Sequence, residues 1–118
     1  MMTTASMDAV IDQTCLQIAA RLYQLTLVAG EGDFADERLP TAMELSKDMG
    51  FKLEMVKKRL RNLVHLDLAQ IATYTPKRYR FNLYTLRHLS PDDELYDALY
   101  GEDSIFVQKL SDWEWQFS

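Results

Sequence analysis

Apolar residues recur along this chain at two spacings, and the change from one to the other outlines its elements. Ile11, Cys15, Ile18, Leu22, Leu25 and Ala29 follow at alternating steps of four and three, the spacing of one face of an α-helix. Leu16, Ala19, Ala20, Tyr23 and Leu27 make a second stripe beside it. The pattern predicts a helix from Met7 to Ala29, with Ser6 as its cap, Asp8 in its first turn and Gly30 and Gly32 ending it. A helix apolar on two sides needs two surfaces to bury against. One is the domain's own core, and the other is either more of that core or a partner subunit.

Gly30 to Pro40 reads as an acidic loop with Glu31, Asp33, Asp36 and Glu37. Thr41-Ala42-Met43-Glu44 matches a capping box, in which the Thr and Glu side chains satisfy each other's free backbone N–H groups. It opens a short helix, Ala42 to Met49, that Gly50 stops in a left-handed conformation. A third helix runs from Leu53 to His65, with Leu53, Val56, Leu60, Leu63 and Val64 as its apolar positions.

The period then shortens. Leu68 to Tyr74 is strand-like, and Tyr79, Phe81, Leu83 and Thr85 alternate with Arg78, Arg80, Asn82 and Tyr84 at a period of two. Thr75-Pro76-Lys77-Arg78 between them reads as a turn, which makes a hairpin with a basic tip. Ser90-Pro91-Asp92-Asp93-Glu94 predicts a further helix start, with Ser90 as cap and Pro91 at the first helical position. Gly101 breaks that helix, and Ile105 to Trp115 form a last one. The predicted fold class is α+β, mostly helical, in a single domain over 1–118. Its parts are an N-terminal helix over 6–29, a helix-turn-helix over 41–66, a hairpin over 68–86 and a helical, aromatic extension over 91–118.

Composition changes this picture little, whereas charge changes it a good deal. With 118 residues, 47% hydrophobic and 26% charged, the chain has ordinary globular make-up. One cysteine excludes an internal disulfide. No apolar run approaches a membrane span, and no basic-then-apolar leader opens the chain, so a soluble cytoplasmic protein away from membranes is expected. The net charge of −5 is unevenly laid down: residues 1–46 carry −5, residues 47–88 carry +7 and residues 89–118 carry −7. A basic block inside an acidic chain points to a local site for a polyanion. The alternative is a solvated charged face.

Glu44-Leu45-Ser46-Lys47-Asp48-Met49-Gly50-Phe51-Lys52, then Met55-Val56-Lys57-Lys58-Arg59-Leu60-Arg61-Asn62-Leu63, then Asp67-Leu68-Ala69 and Tyr79-Arg80-Phe81-Asn82-Leu83 together resemble the winged helix-turn-helix superfamily of DNA-binding transcriptional regulators. The resemblance covers about residues 41–86, and Asp67 stands where many relatives carry Gly. It implies that the helix over 53–65 enters the major groove while the wing touches backbone or an adjacent groove. Lys58 and Arg61 would then face DNA, with Lys57 and Lys52 near phosphate. Glu54 would accept from a cytosine amino group or pair with Lys58. Lys77, Arg78 and Arg80 would carry the wing contact.

Helical angles agree with this for the third helix. With Val56 inward, Lys58, Arg61 and His65 point outward and Lys57 lies on the flank. Such modules commonly bind as homodimers. Ile11, Ile18, Leu22 and Leu25 of the first helix and Trp113 and Trp115 of the aromatic C-terminus are the candidate dimer surface, with coverage of the chain's own core as the alternative. Cys15, His65 and His88 are too few and too separated for a zinc signature, and no phosphate-binding glycine spacing or catalytic constellation is present. No enzyme, cofactor or metal is expected. The sequence therefore predicts a duplex-DNA-binding regulator. The alternative is a protein-protein adaptor in a larger complex, using the acidic loop or the aromatic C-terminus.

Overall fold

The computed structural model describes residues 12–101 and 104–110. Over that span the chain is α+β and mostly helical, with one two-stranded antiparallel sheet. The order is α1 (Gln13–Ala29), a 3-10 turn (Asp36–Arg38), α2 (Ala42–Met49), α3 (Leu53–His65), β1 (Ala69–Tyr74), β2 (Lys77–Phe81), α4 (Leu83–Arg87) and α5 (Glu94–Tyr100). Residues 105–110 are again helical. Among the described residues no helix is long and apolar enough to cross a membrane.

The first helix starts later than its apolar period predicts. Asp12 is extended, at φ −104° and ψ 175°, and its carboxylate accepts from the Cys15 N–H at 2.7 Å. The expected cap at Ser6 lies outside the described residues, as does Ile11. The apolar period does not register a polar cap, and Asp12 also has a second partner far away in sequence. Arg59 of α3 donates to its other oxygen at 2.6 Å, so one carboxylate caps α1 and ties it to α3.

That carboxylate responds to pH. Burial pushes the Asp12 pKa up, but the hydrogen bonds from Arg59 and the Cys15 N–H outweigh burial and leave it below the ordinary 3.8. A carboxyl lowered by folding adds stability above its unfolded pKa and loses it as pH falls through the folded value. Asp12→Asn keeps a capping oxygen and removes the charge. The variant is expected to be less stable than the parent at pH 7, with the gap closing as pH falls through about 4 and below. Urea unfolding at stepped pH measures this, and a gap that stays constant into strong acid contradicts it.

Most of both apolar stripes of α1 is used inside the molecule, with Leu27 exposed at the end of the second. Ile18 and Leu22 are 0% exposed and join Leu45, Val56, Leu60 and Leu63 in one core. This corrects the expectation that these two side chains meet a partner subunit. In so small a domain α1 is the central helix, packed against α3 on one side and β2 on another. Leu25 is half-buried against the same core, and Trp113 and Trp115 lie outside the described residues. Cys15 is buried too. Burial, with the Asp12 charge beside it, pushes its thiol up to about 12, so it packs as a small neutral hydrophobe.

The α2–α3 segment has the predicted bounds. Thr41 Oγ1 accepts from the Glu44 N–H at 3.1 Å and the Glu44 carboxylate accepts from the Thr41 N–H at 2.9 Å, which completes the capping box. Gly50 turns the chain at φ 72°. Arg21 of α1 grips Asp48 of α2 through two hydrogen bonds of 2.6 and 3.3 Å. At the turn into β1, Asp67 adopts φ 64°, a left-handed conformation that Asp tolerates better than most residues. Aspartate thus fills the place where a glycine is common in the resemblance.

The hairpin pairs Ala69 with Phe81, Gln70 with Arg80 and Ile71 with Tyr79, then shifts register before Thr73–Arg78 and Tyr74–Lys77. The chain entering α2 runs along the other edge of β2: Thr41 bridges to Arg78, and the Tyr79 N–H donates to the Pro40 carbonyl at 3.0 Å. The predicted second strand is too long. Its alternation continues through Thr85, but Asn82 accepts from the Thr85 N–H and caps α4 instead. A side-chain cap stops the strand where residue class alone shows no break.

Phe81 closes β2 in the core, its ring 5.4 Å from Tyr23 and 6.0 Å from Phe106. Phe106 is itself 0% exposed, so this part of the aromatic extension belongs to the core. Further along, α5 is capped by Asp93, which accepts from the Leu95 N–H, and not by Ser90. Ser90 accepts from the Asp92 N–H at 3.3 Å in the preceding turn.

Candidate nucleic-acid interface

The outer face of α3 follows from its inner one. Val56, Leu60 and Leu63 are buried, which leaves Glu54, Lys57, Lys58, Arg61 and His65 exposed. On β2 the period of two sends Lys77, Tyr79 and Phe81 to one face of the hairpin and Arg78 and Arg80 to the other. The first of these faces meets α3. Lys57, Arg61, Lys77, Tyr79 and Ala42 line a shared cleft of about 360 Å³.

Three cations therefore open onto one concavity, contributed by two elements distant in sequence. Tyr79 supplies its wall. Burial raises the pKa of this phenol, and the nearby Arg61 charge lowers it less, so it stays protonated and able to donate. Among the described residues no carboxylate lines the cleft. Glu54 is the nearest acid to it along α3, and its Oε2 lies 3.6 Å from Lys57 Nζ at an exposed position. A pair so exposed contributes little and is easily exchanged for another anion.

The predicted contacts divide accordingly. Lys57, Arg61 and Lys77 come together. Lys58 and Lys52 are exposed on or beside α3 without lining the cleft. Glu54 pairs with Lys57 and not with the expected Lys58. Arg78 and Arg80 are half-buried and hold the hairpin to the body. Arg78 Nη1 donates to the Leu39 carbonyl at 2.6 Å and to Glu44 Oε1 at 3.2 Å, while Arg80 Nη2 donates to the Gly30 carbonyl at 2.9 Å. Lys77-Arg78 reads as one basic cluster in sequence, yet neighbours on a strand face opposite ways, and only Lys77 turns toward α3.

Arg78 thus has a structural task that can be measured. Arg78→Ala strands the Leu39 carbonyl and is expected to cost about 1–3 kcal/mol of stability. The exposed Glu44 pair contributes the smaller share of that loss. Thermal or urea unfolding checks this, and an unchanged midpoint contradicts it.

Tyr79 is legible in the sequence as a strand position and not as a site residue. The signal for it was its place two residues from Lys77, on the same face. No protein-family model matches this chain, and no curated protein or solved structure matches it.

Proposed function

We propose that this chain is a winged helix-turn-helix protein that binds duplex DNA and regulates transcription by occupying its site. In this reading α3 enters the major groove, whose width admits a helix, and the β1–β2 hairpin is the wing laid against neighbouring backbone or minor groove. The observation that carries it is the cleft where Lys57 and Arg61 of α3 meet Lys77 of β2 with no carboxylate among its described lining. Lys58, exposed on the same helix, supplies a further cation toward base edges or phosphate. The chain is acidic overall, but Asp12, Glu44 and Asp48 are paired with Arg59, Arg78 and Arg21, and no carboxylate is among the cleft's described lining. The protein acts as a homodimer in this proposal, with a pairing surface that does not include Ile18 or Leu22.

The test is fluorescence anisotropy with labelled duplex DNA across a salt series. Each phosphate neutralised contributes a log–log slope of about −0.9, so the three cleft cations alone give about −2.7. Binding that is absent at low salt, or indifferent to salt, overturns the proposal and favours the adaptor alternative.

A further inference from the structure

A second concavity, of about 540 Å³, lies between the end of α1, the hairpin and α4. Its hairpin wall is the cross-strand pair Gln70–Arg80, on the sheet face that Lys77 and Tyr79 do not occupy. Its volume is that of a small-molecule site, and its lining differs in kind from that of the cationic cleft. Two guanidinium groups, from Arg80 and Arg87, share it with exposed apolar side chains: Leu27 is 49% and Tyr84 70% exposed. Arg80 uses one N–H on the Gly30 carbonyl, which leaves four of its five donors. Arg87 is exposed and forms no ion pair with a described residue. Glu31 also lines the groove, farther than 4 Å from either guanidinium.

We propose that this groove binds a small organic monocarboxylate with an apolar body. The planar forks of Arg80 and Arg87 match a carboxylate's two oxygens. Leu27, Leu83 and Tyr84 receive the aromatic or aliphatic body. Glu31 sets the charge limit: its carboxylate repels a second negative group, which disfavours phosphates and dicarboxylates and leaves a single acid group as the fit. The site is argued from its own lining and stands or falls apart from the DNA proposal.

The experiment is a titration of the full-length ¹⁵N-labelled protein with phenylacetate and, separately, hexanoate, followed by amide shifts. The neutral analogue 2-phenylethanol is the control. Ligands of this size bind with dissociation constants on the order of millimolar. The expected result is saturable shifts clustered at Leu27, Gly30, Arg80, Leu83 and Tyr84 with at least one of the two acids. The alcohol and the Arg87→Gln variant should each bind about tenfold more weakly or worse. Arg87 is an exposed helix residue, so the variant keeps its fold, and the alcohol control needs no variant at all. Failure of both acids to saturate, shifts centred elsewhere, or equal affinity for the alcohol or in Arg87→Gln overturns the proposal.

Discussion

Replacing Lys57, Arg61 and Lys77 together by glutamate is expected to weaken duplex DNA binding at least about a hundredfold at moderate salt, and to lower the salt slope by about 2.7. The three side chains are exposed and line one cleft, so reversal turns an attractive concavity into a repulsive one without opening the core. Among the described residues the only ion pair lost is Lys57–Glu54 at 3.6 Å, whose exposure makes it worth little. The thermal midpoint should therefore stay near that of the parent while binding collapses. Glutamine at the same positions removes attraction without adding repulsion, and should fall between the two. Arg78→Ala supplies the contrast, since it lowers stability while leaving the cleft's cations in place. A triple reversal that binds as the parent does dismisses this surface.

The largest stability loss is expected at Phe81. The side chain is 1% exposed, makes ring contacts with Tyr23 and Phe106, and has its backbone N–H bonded to Thr26 Oγ1 at 2.8 Å. Phe81→Ala removes a ring that the helix over 105–110, β2 and α1 all share, and leaves a hole they cannot jointly fill. Truncations of this kind cost about 3–5 kcal/mol, a large part of the 5–15 kcal/mol typical of a whole domain. The melting temperature should fall by at least about 12 °C. Phe81→Leu keeps most of the volume and should cost clearly less. Calorimetry or urea unfolding decides, and a loss below about 1 kcal/mol for Phe81→Ala contradicts the packing described.

What the sequence made legible was local. Thr41, Glu44 and Gly50 carry their own instructions, because a capping box and a left-handed glycine need no distant partner. The bounds of α2 and α3 followed from them and from one apolar stripe. The errors have two causes: side-chain caps that the hydrophobic period does not register, and contacts distant in sequence. Asp12 starts α1 by capping it through the Cys15 N–H, and the same carboxylate is held by Arg59 across 47 residues. Arg78 and Arg80 alternate away from the binding face, and the distant carbonyls of Leu39 and Gly30 hold them there. Asn82 ends the strand by turning its side chain onto the next helix. Charge counted along the chain found the basic region, but strand alternation decided which of its cations reach the cleft.

The first helix is also joined to every wall of that cleft. Asp12 holds α3, Arg21 holds α2, and Thr26 and the Gly30 carbonyl hold β2. Elements that might slide past one another are moored to a single keel, spaced along nearly its whole length. A surface braced in this way keeps its shape before anything arrives, so little order has to be created on contact, and the free and occupied forms should superimpose.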